Sequence, residues 1–233
     1  MSNVALIAGL GPGFCEEFAW KLAYEGYSIG AFARSEDYLD DFEGQLRDSG
    51  FEACGVPTDI ADPEAVTAGI DRVRSELGDI EVLAHTASTV TDASREALDP
   101  DRFEKLWRLY AYGGLLSFRE AKTDLIETGG TALFFGAFPQ AGDFAYKSEK
   151  DAARGLAHSL AERYGPRGIH VAHVVVDGSI LNPDVYEANE EVDEENHIDP
   201  TAAADTCYHL VVQPDRGRTF ELDLHANERT TVQ

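Results

Sequence analysis

Short apolar runs alternate with stretches of helical period along most of this chain. Val4–Ala8, Ser28–Ala33, Phe51–Val56, Ile80–Ala84, Thr131–Gly136, Ile169–Val176 and Arg218–Leu224 each have the length of a buried strand. Between them the period changes. Phe14, Phe18 and Leu22 recur at i, i+4, i+8; Val66, Ile70, Val73 and Leu77 form a second stripe. Asp40–Ser49 is polar and helical in pattern. Phe103, Leu106, Tyr110, Gly113 and Gly114 mark a long helix running to about Thr128. Ala153, Leu156, Ala157 and Leu160 form the apolar face of a helix from about Phe144 to Tyr164, and Pro200 opens a last one to about Leu210. Breakers stand where they should: Pro57, Gly78, Gly129-Gly130 and Gly165-Pro166-Arg167-Gly168. Strand–helix alternation of this kind predicts one α/β domain over residues 1–233. Its sheet should be doubly wound and mostly parallel, of about seven strands, with helices on both faces. The one long aperiodic stretch, Asn182 to Asp199, is acidic and reads as a lid over a substrate site.

The first strand-to-helix turn carries the first sign of chemistry. Gly9, Gly11 and Gly13 crowd it, with Pro12 among them. Glycines let a ligand approach the backbone, and the helix N-terminus that follows offers N–H groups and a positive dipole end to a phosphate. At the end of the second strand a dinucleotide-binding fold reads the ribose. An acid there bonds the 2′-hydroxyl, whereas an arginine accommodates a 2′-phosphate. Here the strand ends Ala33-Arg34-Ser35, which favours NADP over NAD.

Charge narrows the partners. Asp and Glu total 43 against 19 Lys and Arg, a formal net charge of −24. The acids are spread along the chain, so the surface as a whole is acidic. Such a surface repels nucleic acid and anionic membranes, and its self-repulsion is screened by salt. A salt-adapted, halophilic cytoplasm is expected. Three cysteines, Cys15, Cys54 and Cys207, with no CxxC, fit a reducing compartment. No run approaches 18 apolar residues, so a cytoplasmic location is expected. The seven histidines are scattered and no metal-ligand spacing appears, so no metal is expected.

Tyr146 and Lys150 lie four apart on an expected helix, hence on one face. A phenol titrates near 10, too high for proton transfer at neutral pH. A neighbouring ammonium favours the phenolate and brings that value down. The pair, with the glycine turn, resembles the short-chain dehydrogenase/reductase family, whose turn reads TGxxxGxG and whose catalytic helix carries Tyr-xxx-Lys. The resemblance covers nearly the whole chain. It departs at Ala8, where the family has threonine, and at Cys15, where it has the last glycine. Ala137 takes the place of a serine that bonds the substrate oxygen, and Tyr110 that of an asparagine anchoring a relay water.

The resemblance implies a Rossmann fold and an oxidoreductase that interconverts a small-molecule carbonyl and alcohol. Tyr146 would be the acid/base, and Lys150 its tuner and ribose anchor. A cofactor would be held by Gly9, Gly11, Gly13, Phe14, Arg34, Ser35, Asp59, Ile60, Ala87, Gly178 and Ile180, together with Tyr146 and Lys150. NADP is preferred, with NAD possible. Gln140, Thr86 and Ser88 are candidate replacements for the missing serine. His85, at the end of the fourth strand, reads either as structural or as a titratable group beside the cofactor. Relatives of this kind usually form homodimers or homotetramers. A second reading keeps the nucleotide site but not the chemistry: a catalytically lapsed sensor or partner protein.

Overall fold

The computed structural model describes residues 3–89, 99–137, 144–188 and 192–226, leaving aside the side chains of 137, 144–146, 184 and 188. The strands are β1 (Asn3–Ala8), β2 (Tyr27–Ala33), β3 (Ala53–Pro57), β4 (Ile80–His85), β5 (Thr131–Ala137), β6 (His170–Asp177) and β7 (Glu221–His225). They form one sheet in the order β3-β2-β1-β4-β5-β6-β7, and every neighbouring pair is parallel. Consecutive residues of a strand serve opposite faces, so each strand feeds two cores. Ile7, Ile29 and Val174 pack with α1 (Phe14–Tyr24), α2 (Glu36–Asp48) and α8 (Pro200–Val211) through Phe18, Leu22, Leu46, Cys207 and Leu210. Leu6, Leu83 and Phe134 pack on the other face. Their partners are α3 (Pro63–Glu76), α5 (Gly113–Thr128) and α6 (Phe144–Tyr164), through Ile70, Val73, Leu125, Ala157 and Leu160.

Local rules set the helix starts. Asp62, Asp99 and Asp199 each cap a helix whose first residue is proline, the side-chain oxygen accepting the orphan N–H groups of the first turn. A bidentate ion pair, Arg74 Nε and Nη2 to Asp124 at 2.8 and 3.1 Å, ties α3 to α5, and Asp124 also accepts the Ile80 N–H at the start of β4.

Four expectations need correction. The long helix is not continuous: α4 (Pro100–Trp107) meets α5 through a π-helical turn, Arg108–Tyr112, where the Gly113 N–H bonds the Arg108 carbonyl five residues back and the helix widens. The stretch 182–199 is not structureless. It contains α7 (Pro183–Ala188) and a 3₁₀ turn at Glu194–Asn196, and Ile180 bridges Ile198 as a short parallel pair. β3 begins at Ala53 rather than Phe51, and β7 begins at Glu221 rather than Arg218. Among the described residues, no helix is long and apolar enough to cross a membrane.

Candidate active site

The sheet reverses its winding direction between β1 and β4, and the C-terminal strand ends there open a crevice, the place where such folds bind ligands. A cavity of about 510 Å³ lies in it. Gly9, Arg34, Asp59, Ile60 and Ala87 line it, together with Thr58, Ser88, Thr89, Lys105, Arg108 and Leu109. Gly9 must be glycine: its φ is +115°, and a Cβ there would lie 2.3 Å from the Ala87 nitrogen. Thr86 Oγ1 donates to the Gly9 carbonyl at 2.9 Å, so the turn after β1 and the segment after β4 are sewn together. That bond commits Thr86 to the scaffold. The Asp59 carboxylate accepts the Ala61 N–H at 2.9 Å and shapes the turn that presents Ile60. Ile60 is backed by Gly113, where a Cβ would stand 3.1 Å from Ile60 Cγ2.

The rest of the glycine turn is less open than its sequence suggests. Gly11 has nothing within 4 Å of the place a Cβ would occupy. Gly13, with φ at +84°, presses against Asn182, whose Cβ would lie 2.7 Å from an added methyl. The Gly13 N–H donates to Glu16 Oε2 at 3.3 Å, and Glu16 Oε1 accepts the Tyr38 hydroxyl at 2.6 Å. A resident carboxylate therefore shares the helix N-terminus that a pyrophosphate would use. Phe14 turns its ring into the core, stacked on Phe18 at 5.8 Å, so its side chain is structural. Ser35 caps α2 through Tyr38 N–H at 3.4 Å. Gly178, with φ at +143°, is exposed after β6, and Ile180 follows it as the bridge partner of Ile198. Cys15 is half-buried beside Thr86, and burial pushes its thiol up to about 11, so it is an inert packing residue.

The backbone of Tyr146 is in the first turn of α6; its side chain lies outside the described residues, as does Gln140. Lys150 is 6% exposed, and its Nζ lies 3.6 Å from the centroid of the Tyr110 ring. Burial brings its amine down to about 7, since a low-dielectric interior disfavours the charged form. His85 is fully buried and pushed down to about 4 by the same cause; its Nε2 bonds the Tyr110 carbonyl at 3.1 Å. Burial thus favours its neutral form, with one ring nitrogen engaged by the backbone of the π-turn. The preceding residue on α6, Glu149, has no exposure and, among the described residues, no hydrogen-bond partner for either carboxyl oxygen; burial pushes it up to about 7.

The nucleoside end of a dinucleotide fits the residues present: a small turn, an apolar wall at Ile60 and Leu109, and on the rim Arg34 and Lys105, with Arg108 paired to Glu104 at 2.9 Å and Asp101 beside them. The residues missed from sequence are those of α4 and the π-turn, Lys105, Arg108 and Tyr110 in its buried role. Asp99-Pro100 marks where that helix begins, but only the fold brings it over the ends of β1 and β2.

A model of the family described as short chain dehydrogenase matches residues 3–189. A versicolorin reductase of Emericella nidulans is 27% identical over 128 residues, which are 54% of this chain and 48% of that protein, so the match spans about half of it. The short-chain reductase protein NovJ of Streptomyces niveus is 26% identical over 194 residues, 82% of this chain and 74% of the relative. Among solved structures, L-sorbose reductase from Gluconobacter frateurii, complexed with NADPH and L-sorbose, superposes with a TM-score of 0.87 at 19% identity. That superposition covers 100% of this chain and 98% of the reductase.

Proposed function

We propose, from the premise that the chain belongs to the short-chain dehydrogenase family, that it is an NADP(H)-preferring oxidoreductase interconverting a small-molecule carbonyl and an alcohol. The observation that carries the reading is the cavity at the switch point, with Gly9, Asp59, Ile60 and Ala87 for the nucleoside and Arg34 at its rim for a 2′-phosphate. Gly11, Gly13, Phe14 and Ser35 would meet the nucleotide through backbone groups, and Gly178 and Ile180 would border its far end. When bound, the nicotinamide supplies or accepts the hydride. This chain's part is the proton: Tyr146 gives it to, or takes it from, the substrate oxygen, and Lys150 tunes the phenol. The Lys150 amine is charged below about 7 and neutral above, so lysine-dependent turnover falls as pH rises through that value. The stretch 182–199, reaching the glycine turn through Asn182, would form the substrate lid. Phe103, Trp107 and Leu115, 38%, 41% and 41% exposed along α4 and α5, suit burial in a homodimer or homotetramer. The acidic surface suits a salt-rich cytoplasm.

A second reading, a nucleotide-binding sensor without turnover, draws on Ala137 in the serine place and on Glu16 at the Gly13 N–H. Losing an oxyanion-type donor costs roughly 3 kcal/mol in the transition state. Fluorescence titration with NADPH and NADH in molar KCl tests binding. Arg34→Ala should erase a preference for NADPH, and an unchanged preference argues against the phosphate role. Turnover on a carbonyl panel, lost in Tyr146→Phe with NADPH binding intact, supports the enzyme. Tight binding with no Tyr146-dependent turnover supports the sensor, and no binding of either nucleotide rejects both.

A further inference from the structure

Tyr110 occupies the π-turn between α4 and α5 and is 1% exposed. Its three polar or π surfaces all face something specific. The ring face meets Lys150 Nζ at 3.6 Å. The hydroxyl accepts the Thr89 N–H at 3.2 Å and lies 3.5 Å from the Thr89 carbonyl. The backbone carbonyl holds His85 Nε2 at 3.1 Å. Thr89 in turn lines the cavity. A regular α-helix would place this residue about 100° around the axis from where the widened turn delivers it. The π-turn is therefore what brings the ring onto the amine.

We propose that Tyr110 is the positioning residue for Lys150, its ring face holding the ammonium and its hydroxyl locking that ring to Thr89 on the wall of the nucleotide cavity. The inference rests on reading Lys150 as part of the active site. A buried ammonium needs a partner that leaves it charged without neutralising it by proton transfer, and an aromatic face does this through its quadrupole. Two described histidines act on the amine, His85 on β4 and His173 on β6, and burial lowers the pKa of both. Beyond His173 stand Glu221 and Arg154, paired with each other. Glu149, the neighbour in sequence on α6, is pushed up to about 7 by burial and is protonated below that value. Within this setting the ring opposes the desolvation that lowers the amine.

The test uses the full chain labelled with nitrogen-15 and carbon-13 lysine in molar KCl. The sequence has five lysines, so five ammonium signals are assigned by single Lys→Arg variants. In the wild type, one lysine, assigned to 150, should show side-chain protons shifted upfield by the ring and a midpoint near 7. Tyr110→Phe keeps the ring and should keep the upfield shift. Tyr110→Leu should abolish the shift and lower the midpoint by ~1 pH unit, the size of a desolvated cation–π contact. A wild-type spectrum with no upfield-shifted lysine overturns the proposal without any variant folding. So does a Tyr110→Leu midpoint that is unchanged or raised. The measurement needs neither cofactor nor substrate. A lysine signature that is present while NADPH fails to bind therefore counts against the oxidoreductase reading and for the placement of Tyr110.

Discussion

Glu149→Gln isolates the energetic consequence of one buried charge. The side chain has no exposure, both oxygens lack hydrogen-bond partners among the described residues, and burial pushes the carboxyl from its ordinary 4.5 to about 7. The folded state therefore holds a proton that the unfolded chain releases between those two values. For an acid raised in this way, stability is fully present below 4.5 and is lost as pH rises through 7. At about 1.4 kcal/mol per pH unit, the full loss is about 3 kcal/mol. Water reaching the carboxylate in the ionised protein would reduce this, so ~2–3 kcal/mol is the expected range. Glutamine has the same shape and stays neutral, so it resembles the protonated acid at every pH. Urea unfolding of both proteins at fixed molar KCl, at pH 4, 6 and 8, measures the difference directly. The variant should match the wild type near pH 4, and its advantage should grow through pH 6 to its full value at pH 8. Differencing at each pH cancels the other titrating groups. An advantage that does not change with pH, or a variant less stable at pH 8, refutes the reasoning: Glu149 would then be ionised and paired in solution.

Gly9→Ala puts a methyl 2.3 Å from the Ala87 nitrogen on a backbone at φ +115°, and about 3 kcal/mol or more of stability should be lost; a urea midpoint equal to that of the wild type would contradict the close approach. Asp124→Ala takes the carboxylate from Arg74, which keeps the Glu120 carbonyl and Asp71, and leaves the Ile80 N–H without its acceptor; it should cost about 1–3 kcal/mol, with Asp124→Asn in between. An Asp124→Ala protein as stable as the wild type would show the ion pair to be idle. With a net charge of −24, the melting midpoint should climb from low to molar KCl, and a flat series would remove the halophilic reading.

Much of this protein was legible in one dimension. Seven apolar runs and the helical stripes between them determined a doubly wound, mostly parallel sheet, because strand and helix periods are set by neighbours a few residues apart. Pro200 marked the start of the last helix for the same reason, and the glycine turn located the ligand end of β1. The Tyr146–Lys150 spacing placed both on one helix, since i and i+4 share a face. What tertiary structure decided is everything that depends on distant chain segments meeting. Phe14 is apolar in either role, and only packing against Phe135 sends it inward. Asn182 lies 169 positions from Gly13 along the chain and touches it in the fold, which no local pattern records. By its period alone, Tyr110 reads as one more stripe residue of a long helix. The π-turn is invisible in the period, yet it carries that ring onto Lys150. Burial, finally, is a property of the assembled interior: Glu149 and Lys150 are an ordinary acid and base in sequence, and the low dielectric around them alone brings both toward neutral pH.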